Sequence, residues 1–108
     1  MITELTADPK TALKIVAAGV VVFYASWCGD SQASEEYEKA MAEEFDGKVA
    51  FFRLDAVELE KIADIYEVER YPTYIFFRKG KAVRGNLIEP CDKGEVRNWI
   101  EMKLGRSR

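Results

Sequence analysis

The sequence predicts a single α/β domain built on a central mixed sheet of about five strands flanked by about four helices. Three observations carry that prediction. Strand-like and helix-like patterns alternate through the first part of the chain, as βαβ units do. VVVFYA at 20–25 is a continuous β-branched and aromatic run, the pattern of a strand covered on both faces, and KVAFFRLDA at 48–56 reads as a second central strand. Two later strands meet at Lys79-Gly80, a link so short that it demands antiparallel pairing.

In chain order, ITEL near the start reads as a short first strand. Asp8-Pro9 supplies an N-cap and a first-turn proline for a helix to about Ala18, which Gly19 stops. The 20–25 strand is expected at the centre of the sheet. From Gly29 to about Phe45, Ala33, Tyr37, Met41 and Phe45 recur every four residues, predicting an amphipathic helix with an acidic outer face, closed by Asp46-Gly47. The 48–56 strand is followed by ELEKIADIYEV, a helix with Leu59, Ile62, Ala63 and Tyr66 on one face. TYIFFRKGKAVRGNL then makes the antiparallel strand pair. DKGEVRNWIEMKL closes the chain as a helix with Asp92 as N-cap and Glu95 at the third helical position, a capping-box variant.

Composition limits the function. The chain has 108 residues, 48% hydrophobic and 32% charged, enough apolar material for one core and no bias toward disorder. A net charge of −3, with no basic stripe, argues against nucleic acid. Histidine is absent, which removes Cys–His nucleophile pairs and His-based zinc sites. The two cysteines, Cys28 and Cys91, are too sparse for a disulfide scaffold and have no metal-ligand spacing, so no metal is expected. No secretory signal is apparent, and IVAAGVVVFYA is too short to span a bilayer. A monomer in the reducing cytoplasm, without membrane contact, is the expectation.

The segments FYASWCG (23–29), LDA (54–56), YPT (71–73), FFRKGK (76–81) and DKGEVRNWI (92–100), in this order, resemble the thioredoxin family over nearly the whole chain. The resemblance implies the thioredoxin fold and thiol–disulfide exchange on protein or peptide disulfides, with no cofactor. It assigns Cys28 the attacking position and Ser31 the place of the resolving cysteine. A serine hydroxyl cannot resolve a mixed disulfide, because it is far harder to deprotonate than a thiol and oxygen forms no stable bond to sulfur in such an exchange. An external thiol, with glutathione as the candidate, would have to complete turnover. The resemblance also makes Pro72 the family's cis-proline facing the cysteine, and makes Trp27, Gly29, Asp30, Tyr71, Pro72 and Thr73 the substrate-contacting set.

Local chemistry agrees in part. A thiol at a helix N-terminus meets free amides and the positive end of the macrodipole, both favouring a thiolate. The Ser31 hydroxyl is expected to donate to the sulfur, while the Asp30 carboxylate opposes a second negative charge. The family's buried acid and its lysine partner fall at Val22 and Phe51, both apolar. Three functional readings follow: a monothiol exchange protein acting through Cys28, a redox-inactive peptide-binding module, or a resolving-cysteine-to-serine variant of a dithiol reductase. Cys91 is expected on the same end of the sheet as Cys28, as a packed or surface thiol.

Overall fold

The computed structural model describes residues 2–105. Strands β1 (Ile2–Leu5), β2 (Gly19–Tyr24), β3 (Ala50–Asp55), β4 (Thr73–Arg78) and β5 (Lys81–Ile88) form one sheet in the order β1-β3-β2-β4-β5. The first three run parallel; β4 lies antiparallel to β2, and β5 antiparallel to β4. β2 is therefore central, as its unbroken apolar run requires, and Val20, Val21, Val22 and Phe23 are wholly enclosed. Helices α1 (Pro9–Ala12), α2 (Gly29–Glu44), α3 (Glu60–Ile65) and α4 (Lys93–Lys103) complete the chain.

The sheet separates two apolar clusters. One contains Val20, Val22, Met41, Phe45, Phe51, Tyr74, Phe76, Val96 and Ile100, beneath α2 and α4. The other contains Leu13, Val21, Phe23, Leu54, Ala63, Ile75 and Phe77, beneath α1 and α3. The alternation of partners along β2 follows from the period of two along a strand. The β4–β5 link is a two-residue hairpin turn with Lys79 at φ 50 and Gly80 at φ 82, both in the left-handed region that matches the twist of the flanking strands. Gly80 is required for space as well, since a Cβ there would fall 2.4 Å from the Lys10 carbonyl oxygen.

Two expectations need correction. The first helix ends at Ala12 rather than near Ala18. Leu13 is fully buried, Ile15 is 92% exposed, and the chain turns between them to deliver Gly19 to β2. The inward face of α2 is also rotated from the predicted one. Ser31, Ser34, Glu38, Met41 and Ala42 are buried, whereas Ala33 is exposed and Tyr37 half-buried. Polar side chains thus occupy the core-facing stripe of the first turns of α2, and they sit under the candidate site.

Candidate functional site

The loop after β2 ends at Cys28, which is the N-cap of α2 with extended backbone, φ −88 and ψ 124. Its N–H donates to the Ala25 carbonyl at 3.0 Å, and its carbonyl accepts from Gln32 N–H at 3.1 Å. Gln32 Nε2 donates to the Ser26 carbonyl at 2.8 Å and fastens the same loop from the other side. The thiol is half-buried and points across to the loop before β4, where Cys28 Sγ lies 3.8 Å from the Tyr71 carbonyl oxygen. The Tyr71–Pro72 peptide is cis, as the resemblance implied.

Around the sulfur, one side is aromatic and another is open. Trp27 is 67% exposed, and its indole meets the Tyr71 ring edge-on, centroids 5.9 Å apart. At Gly29, apart from its chain neighbours and the backbone of its own helix, nothing lies within 4 Å of where a Cβ would stand, so no other part of the chain closes over that side of the helix tip. Asp30 is exposed and lines a cavity of about 370 Å³ with Ala33, Tyr37, Glu89, Pro90 and Cys91. Cys91 therefore lies near the same end of α2; both cysteines are free, and Cys91 is exposed. Its backbone is held by Tyr37 Oη, which donates to its carbonyl at 2.9 Å, and by Glu95, whose carboxylate accepts its N–H at 2.8 Å.

Pro72 and Thr73 are buried. Thr73 Oγ1 donates to the Arg70 carbonyl at 2.6 Å, bracing the turn that carries Tyr71 and Pro72. The Pro72 carbonyl accepts the N–H of Glu89, a non-glycine residue at φ 50, at 2.9 Å. The predicted set is thus brought together with one division: Cys28, Trp27, Gly29, Asp30 and Tyr71 reach solvent, whereas Ser31, Pro72 and Thr73 support from below.

Ser31 differs from expectation. Its side chain is 1% exposed, and its Oγ accepts the Ala25 N–H at 3.2 Å. Its oxygen is thereby tied to the β2–α2 loop, and the contact of the Cys28 sulfur is with the Tyr71 carbonyl. Without that oxygen a buried amide would lose its partner, a loss worth about 1–3 kcal/mol. Ser31→Ala should therefore lower unfolding stability by about 1–2 kcal/mol, read as an earlier urea midpoint at unchanged slope; no change would mean that the amide finds another acceptor.

Beneath Ser31 lies a polar network that the sequence reading passed over. Ser34 Oγ is 3.1 Å from the Ser31 carbonyl oxygen and 2.8 Å from Glu38 Oε2. Glu38 is 0% exposed, and its Oε1 lies 2.9 Å from Arg53 Nε of β3. Arg53 also reaches Glu35 at 3.2 Å and covers the Tyr24 ring at 3.9 Å. Burial pushes the Glu38 carboxyl up from 4.5 to about 7, against the opposing pull of Arg53 and of the Ser34 hydrogen bond. Burial likewise raises Tyr74, whose hydroxyl lies in the same layer. Counting back from Met41 by helical steps to Glu38, Ser34 and Ser31 would have placed the acid on the inward face. Val22 and Phe51, where the family's buried acid and lysine align, are both buried.

Among the described residues no group of three or more His, Cys, Asp or Glu side chains is arranged for a metal, and no helix is long and apolar enough to cross a membrane. A second cavity, about 420 Å³, lies at the far end of α2 around Ala42, Asp46 and Lys48 and lacks cysteine.

The thioredoxin family model matches residues 8–102. Thioredoxin H2-1 of Oryza sativa subsp. japonica is 37% identical over 97 residues, covering 90% of this chain and 66% of that protein. A monothiol glutaredoxin of Arabidopsis thaliana is 32% identical over 88 residues, covering 82% of this chain and 17% of that longer protein. In three dimensions the oxidised thioredoxin of Plasmodium falciparum superposes with a TM-score of 0.81 at 17% identity, covering 95% of this chain and 98% of that one; at that identity the likeness speaks for the fold. The sheet order, a cysteine opening α2 opposite a cis-proline and the family match agree: the chain belongs to the thioredoxin family.

Proposed function

We propose that this chain is a monothiol exchange protein, a single thioredoxin-like domain over residues 1–108 that works as a monomer in the cytoplasm. The Cys28 thiolate attacks one sulfur of a protein or peptide disulfide, a Cys28–substrate disulfide forms, and the other substrate sulfur leaves as thiolate. An external thiolate, such as that of glutathione, then attacks the mixed disulfide and Cys28 leaves as thiolate, so that the external thiol ends oxidised and the substrate reduced after a second such attack. The observation that carries this reading is the half-buried sulfur of Cys28 lying 3.8 Å from the carbonyl before a cis-proline, with the position three residues on filled by a buried serine. Trp27, Gly29, Asp30, Tyr71, Pro72 and Thr73 are the substrate-binding set, the first four by contact or proximity and the buried Pro72 and Thr73 by shaping and bracing the turn.

The expected kinetics are distinctive. Mixed with an excess of a peptide disulfide, the protein should release one equivalent of peptide thiol in a burst and then stop; added glutathione should restart release. Continuous turnover without external thiol would contradict the proposal.

One observation favours a second reading, a binding module without exchange. The Trp27–Tyr71 pair beside the open flank at Gly29 offers a peptide an aromatic wall whatever the sulfur does. Under that reading Cys28→Ala leaves partner binding unchanged. The bond that Ser31 accepts from Ala25 gives this serine a task of its own, which supports taking it as more than a stand-in for cysteine.

A further inference from the structure

The geometry points to Glu38 as a positioning residue for Cys28: a buried carboxyl whose state of ionisation is relayed, through the single hydrogen of Ser34, to the first turn of the helix that carries the thiol. The inference rests on the reading of Cys28 as the nucleophile. No step of the proposed exchange uses Glu38, a wholly enclosed carboxyl that has the partners a buried charge needs, Arg53 and the Ser34 hydroxyl.

Ser34 has one hydrogen for the Glu38 carboxylate and the Ser31 carbonyl, with the Tyr74 hydroxyl beside the same oxygen. The Glu38 oxygen is 2.8 Å away and the Ser31 carbonyl 3.1 Å away. When Glu38 is ionised, the charge-assisted bond takes the hydrogen. When Glu38 is protonated, it can itself donate to Ser34 Oγ, and the Ser34 hydrogen is released to the Ser31 carbonyl. From Ser31 the connection runs on through the Ala25 N–H that its Oγ accepts and the Ala25 carbonyl that the Cys28 N–H holds. The hydrogen-bonded links run from 2.8 to 3.2 Å, joined through the covalent frames of Ser31 and Ala25, and the far end is the backbone of the nucleophile.

The charges around Glu38 are few and can be named. Arg53 faces it from β3, Glu35 shares that guanidinium from α2, and the Tyr74 hydroxyl approaches from β4, with Tyr37, the residue before Glu38, acting on Tyr74. The nearby core residues Val22, Val96 and Ile100 are apolar and bring no charge. Glu38 Oε1, Arg53 Nε and Tyr74 Oη are all enclosed without an aligned hydrogen-bond partner; the 2.9 Å contact between the first two is close enough for an ion pair but off the hydrogen-bond axis. A network with spare donors and acceptors can take up or lose a proton by local reorientation. Its position between charged and neutral forms near neutrality, set by burial against Arg53, suits that role. The sign follows from charge alone. An ionised Glu38 adds a negative charge beneath the helix and opposes a thiolate at its tip, so Cys28 reactivity should climb less steeply where Glu38 titrates.

The test is the rate of Cys28 alkylation by iodoacetamide from about pH 5 to about pH 9, peptide-mapped to separate it from Cys91, with the Glu38 carboxyl followed by carbon-13 NMR. In the unmodified protein the profile should depart from a single titration near neutrality, by about two- to fivefold in rate, in step with the NMR titration. Glu38→Gln should remove the departure. Ser34→Ala, which withdraws a donor from the carboxylate, should move it to higher pH. A wild-type profile that follows one titration while Glu38 ionises, or a Glu38→Gln rate scaled equally at every pH, overturns the inference. Should Glu38→Gln fail to fold, an unmoved profile in Ser34→Ala overturns it equally. Alkylation needs no disulfide, so a Cys28 that alkylates in this pattern yet never forms a mixed disulfide sinks the exchange reading and leaves the coupling standing.

Discussion

Cys28→Ser abolishes the burst of substrate thiol altogether, while Cys91→Ser leaves its amplitude at one equivalent. The expected difference is complete because an alcohol replaces the only sulfur at the mouth of α2, and a serine hydroxyl is not ionised at any pH at which the protein is folded. Cys91 differs from Cys28 in its surroundings. It lies before α4 rather than at the tip of α2, its backbone is taken up by Tyr37 and Glu95, and it belongs to the cavity beside Asp30 rather than to the face toward Tyr71. Thiol release is followed with a chromogenic thiol reagent. A burst that survives Cys28→Ser and disappears in Cys91→Ser would move the chemistry to the other sulfur.

Arg53→Met should destabilise the fold by about 3–5 kcal/mol at about pH 8, the range for stranding one member of a buried ion pair. The same substitution at Glu38 should be neutral or stabilising there. The asymmetry follows from position: Arg53 keeps access to Glu35 and to solvent at the rim, with 17% of its side chain exposed, whereas Glu38 has none. The pH dependence has a fixed sign. The folded-state value of Glu38 is raised from 4.5 to about 7, so its favourable contribution is complete below about 4.5 and is lost as pH rises through about 7. The size of that loss is on the order of 3 kcal/mol. Glu38→Met should flatten this slope, and Arg53→Met should extend the loss above pH 7 by removing the charge that holds the carboxyl down. Urea unfolding at about pH 6 and about pH 8 reads both effects. Equal destabilisation by both substitutions at both pH values would contradict the account.

The sheet was legible because its signals are local. The β-branched run of β2, the Lys79-Gly80 hairpin and the Asp92 cap, whose side chain accepts the Glu95 N–H at 2.9 Å, each depend on residues within a few positions of one another. The meeting of Cys28 with the Tyr71 carbonyl joins residues 43 positions apart, and only the family resemblance pointed to it. What was misread was the inward stripe of α2. Ala33 and Tyr37 are apolar by type and Glu38 is acidic, so residue type alone turns the helix the wrong way. The structure turns it back because Arg53, one strand away, supplies the counter-charge that lets a carboxylate face the core. Such compensation is non-local, so the helical spacing of Ser31, Ser34, Glu38 and Met41 carries the only local trace of it. Ser31 was expected to donate to the sulfur because it is near in sequence; in the structure its Oγ accepts the Ala25 N–H, a bond that the sequence did not suggest.

The central claim is that Cys28 forms a mixed disulfide and cannot release it unaided. Intact-mass analysis of the folded protein mixed with oxidised glutathione, followed by peptide mapping, tests this most directly. The account predicts a single glutathione adduct on the peptide containing Cys28, stable until reduced glutathione is added. No adduct on the folded protein, or one confined to Cys91, would contradict it.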